Sequence, residues 1–365
     1  MNLLTRSELC ERRIKLIISI VTVFGSDNYG SILQATCLMK ALEEYGDVVF
    51  SDYDTRHWNV IKTVYEKIRP FVRRSDGIGE LIHRCHYEFS NAIKMKIAWK
   101  KLPSKKKYSG DLCVLGSDEI WNIRRVACRY DAFWGHGIST RKISYAVSIN
   151  FSDDRDFTER GEYVEYLNQI DRISVRDSHS KEILSHFTTK EITLVLDPTL
   201  LYDPPMDCYR RRKEYIAVYL YDHDGGIPEA FRCAMEEDAH SHGLELVSCG
   251  KWVSWTDTKM TAKDGFPFSV FENAKYVLTN TFHGTAYAIN YRKNLVCLAG
   301  VNPKINCLLA QFDLEDRKWD CPEQLASLLS REVDVNSINR KLSELRRVSF
   351  EYLDSVINEM MSENL

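Results

Sequence analysis

The sequence lacks the paired cysteines that would mark a disulfide-stabilised or zinc-bound protein. Its 11 cysteines are an odd number, scattered singly, and no Cys-x-x-Cys occurs. A disulfide framework or a structural zinc site needs closely spaced pairs of thiols. We therefore predict no metal site and expect a reducing compartment, in which cysteines serve as small core residues.

The sequence also lacks an apolar run long enough to cross a membrane. The longest such run spans residues 14–24, which is 11 residues with Lys15, Ser19 and Thr22 inside it and about half of a transmembrane helix. Basic residues precede it as in a signal peptide, but it leads directly into a Gly- and Asn-containing turn with no small-x-small cleavage site. We interpret it as a buried first β-strand and expect a cytoplasmic protein.

The net charge of the chain is small, but basic residues are concentrated in one segment. The chain has 365 residues, is 44% hydrophobic and carries a net charge of -3, which excludes a disordered protein and a general polyanion binder. Residues 56–108 contain 14 basic and 4 acidic residues, a local net charge of +10, so the remainder carries -13. We name residues 56–108 the basic segment and interpret it as a helical insertion.

Short apolar runs alternate with amphipathic stretches along most of the chain, the pattern of parallel sheets flanked by helices. The alternation restarts after Pro204-Pro205, which predicts an N-terminal unit (1–200), a C-terminal unit (201–333) and a long terminal helix (334–365). Predicted strands lie at 14–24, 48–50, 112–115, 143–149, 173–175, 193–196, 215–221, 244–249, 276–278 and 295–298. Predicted helices lie at 31–45, 228–242, 268–274 and 284–291. Ligands of such sheets bind beyond the carboxyl ends of the strands.

The turn after the first strand is the first candidate site. It contains Asn28, Tyr29, Gly30 and Ser31, and the exposed N–H groups of a helix start attract phosphate or carboxylate. The turn matches neither G-x-G-x-x-G nor a Walker loop, so a dinucleotide or nucleoside triphosphate is not indicated. The alternative is an ordinary connection with Ser31 as the N-cap residue.

A second candidate site follows the strand at 112–115. Gly116 permits close approach of a ligand, and Ser117 and Asp118 can hydrogen-bond sugar hydroxyls. Asp118 and Glu119 are adjacent, but neighbours on a helix point to different faces. The alternative is a helix cap beside a buried Trp121.

Two further candidate sites also follow strands. His283 stands in a polar, Gly-flanked turn after a strand, where a histidine is well placed for proton transfer near neutral pH. Arg176 can clamp a carboxylate or phosphate with two nitrogens, or it can form a surface pair with Asp177. Asp197 either caps a turn or lines the cleft.

The ordered set of motifs resembles the polysaccharide pyruvyl transferase family. The resemblance spans about residues 14–315 and is carried by six motifs. These are Asn28-Tyr-Gly-Ser31 with Gln34-Ala35, Gly116-Ser-Asp-x-Ile-Trp121, Ser144-Tyr-Ala-x-Ser148, Ile173-Ser-Val-Arg176, Leu196-Asp-Pro-Thr-Leu200 and Thr279-Asn-x-Phe-His-Gly-Thr285.

The resemblance implies an α/β fold with two Rossmann-like domains facing a cleft, as in GT-B glycosyltransferases. The implied activity transfers pyruvate from phosphoenolpyruvate, without a further cofactor, to two hydroxyls of a cell-surface glycan or its lipid-linked precursor. The resemblance supports His283 as the general acid/base and Arg176 as the clamp on the donor. The substrate-binding residues would be Asn28, Tyr29, Gly30, Ser31, Gln34, Gly116, Ser117, Asp118, Asn280, Thr281, Phe282, Gly284 and Thr285.

The sequence departs from the family pattern at three places. Asn150 replaces a usual glycine, residues 265–269 lack a usual Gly-Pro with an acidic residue, and Lys304 replaces a usual arginine. These departures bear on acceptor contacts and on activity.

Several alternatives remain open at this point. The chain could be a GT-B glycosyltransferase with a nucleotide-sugar donor, or a family member that binds a glycan without turnover. The basic segment is either a solvated insertion or a peripheral contact with an anionic membrane. We do not expect nucleic acid as a partner, because no recognised binding module surrounds the basic residues.

Overall fold

The chain folds into two parallel β-sheets flanked by helices. The computed structural model describes residues 16–52, 60–72, 78–107, 110–206, 211–221, 227–261 and 266–363. The first sheet has the strand order β3-β2-β1-β4-β5-β6-β7 and the second the order β10-β9-β8-β11-β12. The strands are β1 (Leu16–Val21), β2 (Gly46–Asp52), β3 (Ser104–Lys106), β4 (Leu112–Asp118), β5 (Arg141–Val147), β6 (Ile173–Val175), β7 (Ile192–Leu194), β8 (Tyr215–Tyr219), β9 (Glu245–Cys249), β10 (Thr258–Met260), β11 (Tyr276–Thr279) and β12 (Asn294–Cys297).

The helices connect successive strands and cover the sheets. They are α1 (Tyr29–Leu42), α2 (Val60–Val72), α3 (Ile78–Lys100), α4 (Asp154–Glu159), α5 (Gly161–Asn168), α6 (Ser178–Ser185), α7 (Glu229–Ser241), α8 (Phe282–Asn290), α9 (Pro303–Gln311), α10 (Leu325–Ser330) and α11 (Val335–Glu363). In the described part of the chain, no helix is both long and apolar enough to span a bilayer.

Two central strands are buried along their whole length because both faces of each sheet are covered. Every residue of β4 and of β8 is buried, as expected for parallel strands between two layers of helices. One core cluster contains residues of both sheets and of α11, among them Ile18, Val277 and Leu353. The two sheets are therefore held together by shared apolar packing.

Each sheet has a point at which its strand order reverses. The chain leaves β1 toward β2 and β3 and returns to β4 on the other side of β1. In the second sheet it leaves β8 toward β9 and β10 and returns to β11. The crevice beyond the carboxyl ends of such strand pairs is the usual ligand site of doubly wound sheets.

The C-terminal helix α11 lies against the first sheet, although it follows the second in the chain. The Tyr352 hydroxyl donates to the Ser144 carbonyl at 2.8 Å, and the Leu196 amide donates to Ser349 Oγ at 2.8 Å. Glu359 pairs with Arg141 at 2.7 Å. The predicted terminal helix is thus confirmed.

The structure differs from the sequence predictions at short edge elements and at helix starts. Strands β3 and β10 were not predicted, because they have only three residues each and include lysines instead of an apolar run. The prediction of Ser31 as an N-cap is wrong, since α1 begins at Tyr29 and is capped by Asn28.

The domain limits at 200, 201 and 333 stay predictions. Helices α2 and α3 and strand β3 occupy most of the described part of the basic segment. Residues 53–59, 73–77, 108–109 and 207–210 and Gly265 lie outside the described residues.

Candidate active site

A cavity of about 700 Å³ lies where the carboxyl ends of the two sheets face each other. We name its two sides the first wall and the second wall, by the sheet from which each arises. The first wall comprises Asn28, Asp118, Glu119, Asn122, Arg124, Arg125, Asn150 and Phe151. The second wall comprises Tyr219, Tyr221, Asn280, Thr281, Phe282, His283, Asn302 and Lys304.

Six of the predicted site residues line this cavity. They are Asn28, Asp118, Asn280, Thr281, Phe282 and His283. Residues more than 160 positions apart in the sequence therefore meet at the two switch points, as the position of each motif after a strand predicts.

His283 lies in the first turn of α8, on the second wall. Thr281 caps this helix by accepting a hydrogen bond from the Gly284 amide at 2.9 Å. A Cβ atom at Gly284 would lie 2.2 Å from Thr279 Oγ1, so only glycine fits beneath the cap. The local sequence thereby fixes the helix start and with it the imidazole.

The imidazole of His283 is buried, and its Nε2 atom has no hydrogen-bond partner among the described residues. Burial lowers the pKa of His283 below 6.5, although Asp197 and Asp118 act in the opposite direction. The ring is therefore neutral at pH 7. A neutral imidazole with an unpartnered nitrogen at a cavity can accept a proton, and the imidazolium so formed can deliver it.

Gly30 brings the start of α1 against His283. A Cβ atom at Gly30 would lie 2.1 Å from His283 Nδ1, so any larger residue would displace the ring. Asn28 caps α1 by accepting from the Gly30 amide at 2.9 Å. Two helix starts thus meet at the cavity, one from each sheet.

Asp118, in the first wall, is the centre of a buried ionic network. Arg176 donates to Asp118 Oδ1 at 3.2 Å and to Asp197 Oδ2 at 2.7 Å, and Ser31 Oγ donates to Asp118 Oδ2 at 3.2 Å. Burial would raise the pKa of Asp118, but the positive charges of Arg176 and Lys304 outweigh it and hold the pKa well below its usual range. Asp118 is therefore ionised at neutral pH.

Arg176 follows β6, as predicted, but its contacts are with buried carboxylates. Its side chain is fully buried, both terminal nitrogens face carboxylates, and its guanidinium lies 4.2 Å from the centre of the Phe282 ring. A surface pair with Asp177 is wrong, because Asp177 caps α6 by accepting from the Ser180 amide at 2.7 Å. In this geometry Arg176 holds two carboxylates in place, and its role as a clamp on a bound anion stays a prediction.

Lys304 is a cation that faces the cavity from the second wall. Its ammonium group lies 3.3 Å from Glu119 Oε2, and Arg125 contacts the other oxygen of Glu119 at 2.6 Å. Burial would raise the pKa of Glu119, but Lys304 and Arg125 help to lower it. The sequence marked Lys304 only as a departure from an arginine.

Asn150 explains how the chain tolerates the loss of a usual glycine. Its φ is +49°, in the left-handed region that asparagine adopts more readily than most residues. Its Nδ2 atom donates to Glu119 Oε2 at 2.5 Å. The replacement thus keeps the turn and adds a contact to the first wall.

The other predicted residues support the walls from behind. Gln34 Oε1 accepts from the Ser117 amide at 3.2 Å and from the Ser117 hydroxyl, and Gln34 Nε2 donates to Thr22 Oγ1 at 3.1 Å. Thr285 Oγ1 donates to the Thr281 carbonyl at 2.9 Å. Tyr29, Gly116 and Gly284 are also outside the cavity lining.

Sequence reasoning missed seven of the residues that line the cavity. They are Asn122, Arg124, Arg125, Phe151, Tyr219, Tyr221 and Asn302. Tyr219 is the last residue of β8 and the others lie in connections that follow strands, so position at or after the end of a strand was the signal that could have found them. Among the described residues, no three His, Cys, Asp or Glu side chains converge in a way that could hold a metal ion.

Comparison with models of protein families shows to which family this chain belongs. A model of the family Polysaccharide pyruvyl transferase matches residues 28–243, more than half of the 365 residues. The chain belongs to the polysaccharide pyruvyl transferase family. The match includes Asn28, Asp118 and Arg176 but ends before His283 and Lys304. A search among curated proteins finds no match.

Solved structures show the fold of this family member. The glycotransferase of kitacinnamycin aligns with a TM-score of 0.51 and 12% identity, covering 95% of this chain and 99% of that chain. UGT89C1 of Arabidopsis thaliana, in complex with UDP-L-rhamnose, gives the same four values. A trehalose-phosphate synthase from Burkholderia xenovorans, in complex with glucose-6-phosphate, has a TM-score of 0.50 and 10% identity, covering 94% and 100%. These neighbours confirm the predicted GT-B-like fold.

Proposed function

We propose that this family member transfers pyruvate from phosphoenolpyruvate to two hydroxyls of a sugar in a glycan or a lipid-linked precursor. The products are a pyruvate ketal and inorganic phosphate. The observation that carries the proposal is the buried, unpartnered Nε2 of His283 in a cavity that Lys304 also faces. The reaction needs both a proton carrier and a cation, because the donor is an enol phosphate that also bears a carboxylate.

The chemistry requires one proton at carbon and one at phosphate. Protonation of the donor's methylene group makes the adjacent carbon electrophilic, and a sugar hydroxyl adds there. The carbon–oxygen bond to phosphate breaks, and a second hydroxyl closes the ketal ring. The two hydroxyl protons balance the proton on the new methyl group and the proton that leaves with phosphate. His283 delivers the first proton and regains one from a hydroxyl.

The cations of the cavity suit the donor's charges. Lys304 is the better placed of them, since its side chain is only 16% exposed, whereas those of Arg124 and Arg125 are 46% and 58% exposed. Charge-assisted hydrogen bonds are strongest when they are partly shielded from water. The amides at the starts of α1 and α8 supply further donors. A cavity of about 700 Å³ has room for the donor beside a sugar ring.

Ionised Asp118 helps to set the protonation state of His283. A carboxylate near His283 favours the imidazolium, whereas burial favours the neutral ring. Binding of a multiply charged anion would further favour the imidazolium. The donor itself would therefore help to charge the histidine that protonates it.

Thermal stabilisation by candidate donors tests the proposal. A ligand present at about 100 times its Kd stabilises a fold by about 2.7 kcal/mol. We expect phosphoenolpyruvate to raise the melting temperature, Lys304→Met to reduce that increase and the exposed control Lys275→Met to leave it unchanged. Stabilisation by UDP-, CMP- or GDP-sugars with none from phosphoenolpyruvate would instead support a nucleotide-sugar glycosyltransferase.

A further inference from the structure

Helix α3 of the basic segment is anchored to both sheets through one of its faces. Trp99 Nε1 donates to the Ser26 carbonyl at 2.7 Å, on the side of the first sheet. The Tyr87 hydroxyl donates to the Met260 carbonyl at 2.7 Å, on the side of the second. Both rings are buried. The orientation of α3 is therefore fixed by packing.

The opposite face of α3 exposes a stripe of large apolar side chains. These side chains, each between 39% and 81% exposed, are Ile78, Ile82, Phe89, Ile93 and Ile97. At 3.6 residues per turn they fall within an arc of roughly 100°. The buried residues of the helix lie outside that arc; they are Arg84, Tyr87, Glu88, Asn91, Ala92, Met95 and Trp99. We name the five exposed residues the apolar stripe.

The neighbouring helix α2 also exposes large apolar side chains. Ile61 and Tyr65, one turn apart, are 74% and 61% exposed. Monomeric proteins rarely leave large contiguous apolar areas in water, and such areas mark interaction sites.

Lysines accompany the apolar stripe at the C-terminal end of α3. Lys96 and Lys100 are exposed and fall within the same arc, and Lys101, Lys105, Lys106 and Lys107 follow them on the surface. The segment as a whole carries a net charge of +10 within a protein of net charge -3.

We propose that the apolar stripe and its lysines dock on an anionic lipid bilayer. The side chains of the stripe enter the boundary between headgroups and acyl chains, as in helices that lie in the membrane interface. The lysines contact anionic headgroups, each contributing about 1 kcal/mol, or about fivefold in partitioning. A second copy of the chain is a poorer occupant, because two surfaces of the same strong positive charge repel each other.

Co-sedimentation of the full chain with vesicles tests this proposal. We compare vesicles of phosphatidylcholine alone with vesicles containing about 30% phosphatidylglycerol, at physiological ionic strength. The wild type is expected to bind the anionic vesicles at least tenfold more strongly. Ile82→Glu with Phe89→Glu, and separately Lys96→Glu with Lys100→Glu, should each weaken that binding at least tenfold.

Matched controls separate docking from general effects of added negative charge. Val335→Glu changes an exposed apolar residue on α11, and Lys181→Glu reverses an exposed charge on α6. Both controls should bind as the wild type does, and circular dichroism checks that every variant is folded. Equal binding to neutral and anionic vesicles would overturn the proposal. So would a wild-type dimer in sedimentation velocity that Ile82→Glu with Phe89→Glu converts to a monomer while vesicle binding is unchanged.

Discussion

The two walls of the cavity are built from different kinds of residues. The first wall contains two carboxylates and two arginines, and these charges already have partners. Arg125 contacts Glu119, Arg176 contacts Asp118, and Arg124 contacts Asp153 and Asp156. The second wall is mostly neutral and contributes one lysine and one histidine with an unpartnered nitrogen.

This difference suggests separate roles for the two walls, one structural and one chemical. Charges that are paired in the fold are held rigidly, but they cost free energy to release to a ligand. On the opposite wall, the neutral imidazole keeps a nitrogen with no partner among the described residues, whereas Lys304 is paired with Glu119 and would share that contact with a donor. We infer that the first wall sets the shape and field of the site, and that the second wall carries out proton transfer and donor binding.

The largest expected effect comes from removing the histidine of the second wall. General acid–base catalysis contributes about 10²–10⁴-fold, so His283→Ala should lower kcat by that factor. The measurement is phosphate release from phosphoenolpyruvate with a panel of glycosides that carry neighbouring hydroxyls. Asn122→Ala, on the first wall, and His242→Ala, on the surface, should each change kcat less than tenfold. Near-full activity of a folded His283→Ala protein would remove the histidine from the mechanism.

The next effect distinguishes the buried arginine from a donor clamp. Arg176→Met leaves Asp118 and Asp197 buried without their cation, which should cost about 3–5 kcal/mol in the free energy of unfolding. Arg124→Met removes an exposed ion pair and should cost about 1 kcal/mol or less. Urea unfolding measures both. A stable Arg176→Met protein with a raised KM for phosphoenolpyruvate would restore the clamp role.

Lys304 tests donor binding on the second wall. Hydrogen bonds to charged groups contribute about 1.5–3 kcal/mol, so Lys304→Met should weaken phosphoenolpyruvate binding about 10- to 100-fold. Lys304→Arg keeps the charge and should stay within a few fold of the wild type. Calorimetric titration gives both dissociation constants. Unchanged affinity in Lys304→Met would transfer donor binding to the arginines of the first wall.

The smallest of these effects is expected from a change at Gly30, which contacts His283 of the second wall. Gly30→Ala places a methyl group against His283 Nδ1 and should destabilise the fold by about 1–3 kcal/mol, as overpacking does, with a parallel loss of kcat. Gly161→Ala, where a Cβ meets nothing within 4 Å, should be neutral or stabilising by up to about 1 kcal/mol. Thermal melts compare the two. Equal melting temperatures would show that the walls do not depend on this contact.

Much of the fold follows from local patterns in the sequence. The buried strands are short apolar runs, and the position of Asn28, Asp118 and His283 after strands predicted their meeting at one edge. Local patterns do not reveal pairs formed between distant segments. Arg176 meets Asp118, 58 residues away, and Asp197, 21 residues away, so its burial and its role as an ionic support could be recognised only in three dimensions.

Two further features of the site depend on backbone geometry and on the approach of the walls. Asn150 reads as a loss of glycine in the sequence, yet its left-handed conformation keeps the turn that a glycine would make. Lys304 reads as a substituted arginine, and its contact with Glu119 arises because α9 of the second sheet faces the end of β4. Neither property has a signature within a few residues along the chain.

Proton uptake on donor binding tests the central claim most directly. Burial lowers the pKa of His283 in the free protein, and a bound anion raises it, so binding should take up a proton and strengthen as the pH falls from the pKa of the bound state toward that of the free state. Titration calorimetry of phosphoenolpyruvate in two buffers of different ionisation enthalpy counts the protons, with His283→Gln as the comparison. We predict uptake by the wild type in excess of that by His283→Gln. Equal proton counts in the two proteins would contradict the assignment of His283 as the group that the donor charges.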